Sequence, residues 1–164
     1  MKIRRGCGTT AALFALTLPL VAGAAEHVTP PSPEGLWATI DDRSGAERSL
    51  VRVHLADGHL TGTIERVQRR ADESPDPVCA KCRGDRKGAH ILGMVILWGH
   101  RADDSRWIGG TILDPENGRE YSSTLWLTDT DTLRVRGHWG PFHRTQTWYR
   151  RRAAANVAVR GGAR

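Results

Sequence analysis

"RWIGGTILDPENGREYSSTLWLTDTDTLRVRGHWG", residues 106–140, decides the fold class. Three runs rich in β-branched and aromatic residues are separated by "DPENG" and "TDTD", which have the composition of turns. Within "LRVRGHW", Leu133, Val135, Gly137 and Trp139 share one parity, and Arg134, Arg136 and His138 share the other. A period of two sends the two sets to opposite faces of a strand, so Trp139 is expected to point inward with Leu133 and Val135. In the preceding run Trp126 has the opposite parity to Tyr121, Leu125 and Leu127, which suits a solvent-facing binding patch.

The same grammar extends in both directions. "LVRVHLADGHLTGTI" at 50–64 holds two strand-like runs around Asp57–Gly58, a pair that tolerates the positive φ angles of a tight hairpin. "HILGMVILWG" at 90–99 is a continuous apolar run whose glycines and β-branched residues suit a buried strand. "RTQTWYR" at 144–150 supplies a last strand. The expected strands are 35–40, 48–55, 59–67, 91–98, 106–113, 119–127, 132–139 and 143–149. The fold class is therefore all-β. About eight antiparallel strands with short links predict an up-and-down barrel, which leaves no free edge. A two-sheet β-sandwich is the alternative. Glycines inside the strands (Gly62, Gly93, Gly109, Gly110 and Gly137) fit either strong curvature or the lining of a cavity.

The chain begins "MKIRRGCGTTAALFALTLPLVAGAAEH", in which Lys2, Arg4 and Arg5 precede an apolar stretch from Ala11 to Val21 and then small residues. That order is a secretory signal peptide, with cleavage after Ala24 or Ala25 and a periplasmic or secreted destination. Residues 26–34 read as a flexible Pro-rich lead-in, 35–150 as the barrel domain and 151–164 as a basic flexible tail. The full chain carries 24 Lys and Arg against 18 Asp and Glu, a formal charge of +6, and loss of the three leading cations lowers it to +3. Much of the basic excess is thus targeting signal. Acids at Asp72, Glu73, Asp76 and Asp85 interrupt the remaining basic clusters, and no nucleic-acid partner is expected.

Cys79 and Cys82 are the cysteines left after export, and an oxidising compartment predicts a disulfide between them. Such a bond would tidy the long connection from 68 to 90. Zinc needs about four ligands, or three and a water. The pair supplies two, and neither His90 nor His100 stands at a spacing that completes the set. No metal and no cofactor is expected. Lys81, Arg83, Arg86 and Lys87 around the pair keep a thiol-redox centre open as an alternative, because cations lower a thiol pKa. Catalysis has little else to rest on. His138 and His143 bracket one turn, Asp114, Glu116 and Glu120 another, and there is no Gly-rich phosphate loop or G-x-S-x-G elbow. No catalytic residue is assigned.

"GLWAT" at 35–39, "ILG…ILWG", the block from Trp107 to Tyr121, "LRVRGHWG" and "RTQTWYR" together resemble a bacterial exported family, the domain of unknown function 2147. The resemblance spans about 34–150 and implies a small lipocalin-like barrel, without an accepted activity. "GLW" at 35–37 also resembles the Gly-x-Trp of the first lipocalin strand. That likeness implies a late basic residue, Arg150 or Arg144, stacked across Trp37 in a structural cation–π contact.

These features point to an exported barrel that binds a small apolar or amphipathic ligand between alternate inward residues. The candidate lining residues are Trp37, Val53, Trp98, Tyr121, Leu133, Val135 and Trp148. A cavity above about 300 Å³ with an open mouth is what that reading requires. A filled interior would favour a structural or protein-interaction module instead, and a thiol-redox or metal-dependent enzyme is the remaining alternative. The partners that suit an exported barrel are a lipid or other small apolar ligand, an envelope protein, or an anionic membrane surface.

Overall fold

The computed structural model of the chain describes residues 32–69 and 71–152. The expected signal peptide, most of the expected lead-in and the tail beyond Arg152 lie outside the described residues. Eight strands run in order: β1 (Gly35–Ile40), β2 (Glu47–Ala56), β3 (His59–Val67), β4 (Val95–Asp103), β5 (Arg106–Asp114), β6 (Arg119–Asp129), β7 (Thr132–Trp139) and β8 (Phe142–Arg151). Each pairs antiparallel with the next, and β8 returns to β1 through Leu36↔Arg151 to Thr39↔Trp148, which closes the barrel. The all-β up-and-down barrel is the observed architecture, and no second sheet forms among the described residues.

Local chemistry explains most boundaries. Asp57 and Gly58 both take positive φ, 50° and 77°, and turn β2 into β3 as the Asp-Gly pair predicts. Asp114 ends β5 by accepting hydrogen bonds from the Glu116 backbone N–H at 2.9 Å and the Asn117 amide at 2.8 Å, so "DPENG" is a self-capped turn.

β4 departs from expectation. The apolar run at 91–98 does not form one strand: Ile91–Met94 make a turn, in which the Met94 N–H donates to Ile91 O at 3.1 Å. The strand starts at Val95 and continues to Asp103, well past Trp98, where it was expected to end. The turn residues still join β3, because Gly93 N–H donates to Ile64 O at 2.8 Å and Ile64 N–H to Met94 O at 3.0 Å. The run therefore splits between a buried corner and a strand, which hydrophobicity alone does not separate.

The core fills one half of the barrel. Trp37, Val53, Leu60, Leu97, Leu125, Leu133 and Trp148 are buried there, in the half that carries the β2–β3, β4–β5 and β6–β7 turns. The opposite half carries the β1–β2, β3–β4, β5–β6 and β7–β8 connections. The long β3–β4 connection belongs to this second half and includes one turn of 3-10 helix at Gly84–Arg86.

Candidate functional site

The closed end is a plug built from both ends of the domain. The Arg150 guanidinium lies 4.2 Å from the Trp37 ring centroid. It also donates to Glu34 O at 2.6 Å, Thr130 O at 2.6 Å and Ser32 O at 2.9 Å. Trp37 Nε1 donates to Pro33 O at 2.8 Å. Residues 32–34, expected to belong to a flexible lead-in, are thus held across this end. The requirement for Gly35 follows from two facts. Its φ is +137°, and a Cβ there would stand 2.5 Å from Arg150 Nη1. Gly-x-Trp is the footprint of the arginine on the first strand. Arg144, the other candidate for this contact, instead donates to Asp42 at the opposite end.

Above the plug, His100 projects from β4 into the barrel and is fully buried. Its Nε2 lies 2.7 Å from Ser123 Oγ, and Nδ1 has no hydrogen-bond partner among the described residues. Burial pushes the imidazole pKa down from 6.5 to about 4, opposed by a hydrogen bond with the Ser123 backbone, so the ring is neutral at physiological pH. A neutral ring that donates from Nε2–H to Ser123 leaves only a bare lone pair at Nδ1, and an unpaired acceptor costs less than a stranded N–H. The ring occupies the space where Gly110 would otherwise carry a side chain: a Cβ there would fall 2.2 Å from Nδ1.

The other half of the barrel is hollow. A cavity of about 430 Å³ opens at that end. Inward side chains shrink toward it along three strands: Trp37 to Thr39 on β1, Val51 to Ser49 on β2, and Leu133 through Val135 to Gly137 on β7. Ile64, Ile96, Ile112, Val135 and Trp148 form apolar walls, with Tyr121, Gln146 and the hydrogen-bonded pair Thr39–Ser49 as the polar groups among them. Charged residues ring the mouth. Arg48 is gripped by Glu73 through two hydrogen bonds of 2.8 Å and by Glu116 at 3.0 Å. The Glu73 hydrogen bonds, against a desolvation cost, raise its pKa above the ordinary arginine value. Asp42 holds Arg144 in the same way.

The sequence candidates divide across these regions. Tyr121, Val135 and Trp148 line the cavity. Trp37, Val53 and Leu133 are buried in the packed half and do not reach it. Trp98 is a correction: it sits on the outer face of β4, with the Arg86 guanidinium 4.6 Å from its ring centroid. Trp139 is another. Its parity is inward, but it ends β7 at the rim and is 65 % exposed, 6.2 Å from the equally bare Phe142. Trp126 faces outward as expected, yet Arg106 at 5.6 Å and Arg136 at 5.0 Å occupy its ring, so it offers no open patch.

Cys79 and Cys82 are joined in a disulfide, with Cα atoms 5.4 Å apart. The loop they close is docked on the β5–β6 turn. Cys79 Sγ lies 3.4 Å from Pro115 O, and the Lys81 carbonyl lies so close to Gly118, whose φ is +70°, that a Cβ would come within 2.1 Å of it. A crevice separates this loop from the start of β6, lined by Lys81, Arg83, Arg86, Arg119 and Glu120. His90 Nδ1 pairs with Asp76 at 2.9 Å, His100 is inside the barrel, and Glu116 and Glu120 bind Arg48 and Arg86. No group of three or more potential metal-ligating side chains occurs among the described residues.

Sequence reasoning missed His100, the cavity's isoleucines and the crevice. The one available signal for His100 was a double glycine, Gly109–Gly110, on the neighbouring strand.

A comparison with known families matches residues 35–150 to the family described as "Uncharacterized protein conserved in bacteria (DUF2147)". Among solved structures, protein HP1028 from the human pathogen Helicobacter pylori, described as belonging to the lipocalin family, is similar with a TM-score of 0.61. The two share 17 % identity over 73 % of this chain and 82 % of that one, a likeness of fold. None of the curated proteins matches the chain.

Proposed function

The chain belongs to the DUF2147 family, and on that premise we propose that its barrel binds a small amphipathic molecule, apolar part inward, through the open end. The observation that carries this reading is the cavity of about 430 Å³, bounded by apolar walls inside and by charged groups at its mouth. Binding sites for small molecules have this size and this mixture, with few polar groups among mostly apolar ones. The floor is fixed by Trp148 and the packed residues beneath it, so the cavity needs no rearrangement to receive an apolar group.

Export to the periplasm or beyond is part of the proposal. The amino-terminal pattern of cations, apolar run and small residues supports it, and so does the Cys79–Cys82 disulfide, which persists in an oxidising compartment.

The test is calorimetric titration of the mature chain with decan-1-ol, against the Gly137→Leu variant. Gly137 lines the cavity, and a Cβ there meets its nearest neighbour, Tyr121 Cβ, at an ordinary 3.5 Å. Leucine therefore fills the hollow without backbone strain. The expected result is saturable one-to-one binding that weakens at least about tenfold in the variant, with an unchanged thermal transition. Absence of saturable uptake by the natural chain, or undiminished uptake by the variant, sinks the reading.

A further inference from the structure

We propose that the ligand is an anionic amphiphile, whose phosphate or carboxylate head sits in the crevice between the disulfide loop and the start of β6. This rests on the cavity reading above and names the chemistry at its mouth. The crevice and the cavity meet: Leu113, Asn117, Tyr121 and Trp139 line both. A molecule seated in the barrel therefore has its outer end beside this crevice.

The charge there is one-sided. Lys81, Arg83, Arg86 and Arg119 face a single carboxylate, Glu120, and Arg86 already neutralises it at 2.7 Å. Lys81, Arg83 and Arg119 form no ion pair among the described residues. The other cations at the mouth differ. Arg48 is bound by Glu73 and Glu116, Arg144 by Asp42, and Arg43 stands beside the acidic pair Asp41–Asp42. Arg43 also forms no ion pair among the described residues, but it is a single cation next to two acids in sequence, whereas the crevice gathers three unpaired cations, and a cluster of like charges favours an anion that relieves its repulsion. Arginine adds the fork of donors that phosphate and carboxylate oxygens accept.

The cluster is also held in place. The disulfide closes the backbone on either side of Lys81, and the close approach of the Lys81 carbonyl to Gly118 seats the loop against the β5–β6 turn. Arg86 is fixed from two sides, by Glu120 and by the Trp98 ring. Arg119 leans on the ring of Trp139, 5.9 Å from its centroid. Trp139 thus carries a cation and edges the apolar mouth at once, which is the junction an amphiphile needs.

Equilibrium titrations would compare decyl phosphate, decanoate, decan-1-ol and inorganic phosphate, on the natural chain and on two variants. One is Lys81→Ser/Arg83→Ser, and the other adds Arg119→Ser. In about 50 mM salt the natural chain is expected to bind decyl phosphate at least about tenfold tighter than decan-1-ol, an advantage that shrinks in about 500 mM salt. The variants are expected to lose most of that advantage, while their affinity for the alcohol stays within about twofold of the natural chain's. Loss in the double variant alone suffices, so the proposal survives a triple variant that fails to fold. Equal affinity of the natural chain for alcohol and anions overturns the head-group assignment and leaves the cavity reading standing. If no chain-bearing probe binds, the cavity reading itself has failed. An anionic preference that persists in the variants overturns the proposal by locating the head elsewhere. Inorganic phosphate that binds as tightly as decyl phosphate also overturns it, because the crevice is then a free-anion site with no link to the barrel.

Discussion

Acidification should destabilise this barrel through one buried residue, His100. The folded imidazole titrates at about 4 and the unfolded one at 6.5. Between those values the unfolded chain holds a proton on His100 that the folded chain refuses, so the unfolded state binds more protons and stability falls as pH falls. The full contribution is present above pH 6.5, declines through the window and is exhausted near pH 4. The separation of about 2.5 units corresponds to about 3 kcal/mol. The measurement is urea unfolding followed by tryptophan fluorescence, disulfide intact, at closely spaced pH values from 7 to 3.5. The natural chain is compared with His100→Gln, which retains a polar side chain opposite Ser123 but does not titrate. Taking the difference between the two proteins cancels every other titrating group. With a urea slope of about 2 kcal/mol per molar, the midpoint gap should change by about 1.5 M across the window. A ring resonance of His100 with a midpoint near 4 should accompany it. Parallel curves for the two proteins, or a ring that titrates near its ordinary value in the folded state, would refute the reasoning.

Three further outcomes follow from the ends of the barrel. Arg150→Ala removes the donor of three carbonyl hydrogen bonds and the cation over Trp37, and should cost about 2–4 kcal/mol in denaturant unfolding, with Arg150→Lys recovering only part. Gly35→Ala should also destabilise, but much less in an Arg150→Ala background, because the Cβ clash is with Arg150 itself; strict additivity in the double-mutant cycle would contradict the plug. At the mouth, Gly118→Ala should lift the disulfide loop off the β5–β6 turn and expose it to limited proteolysis while the barrel stays folded. A loop no more cleavable than in the natural chain would mean that the Lys81–Gly118 contact does not seat it.

The strands were legible because two signals agreed. Parity in "LRVRGHW" and the turn residues of "DPENG" and "ADG" gave the same boundaries, and tertiary structure moved most of them by two residues at most. Agreement failed at 90–99. There hydrophobicity was continuous, but the chain had to turn a corner beneath the disulfide loop before entering β4, and a buried corner needs apolar residues as much as a strand does. Parity gave Trp139 its direction but not its exposure. An inward direction means burial only where the barrel has an interior on that level, and β7 ends at the rim. Trp98 shows the converse: an outward aromatic can be covered by a loop whose docking is set by contacts from Lys81 to Gly118, far apart in sequence.

The Gly-x-Trp pair and Arg150 were readable through resemblance, and the structure supplies the physics: the glycine yields its side-chain space to the guanidinium. The hollow half was written in the sequence in a form that parity does not weigh. A strand pattern sorts residues into two faces and says nothing of volume, yet the inward series Leu133, Val135, Gly137 falls steadily in size, and Val51 to Ser49 and Trp37 to Thr39 fall in the same direction once the hairpins set the strands side by side. Large groups at one level close a barrel and small ones at the other leave it open. The candidate set gathered large inward residues, and so it collected residues packed beneath the cavity, Trp37, Val53 and Leu133, together with only part of the lining, Val135, Tyr121 and Trp148. In a barrel of this kind the binding residues are sought where the inward side chains become small, because a ligand fills the volume that the sequence leaves out.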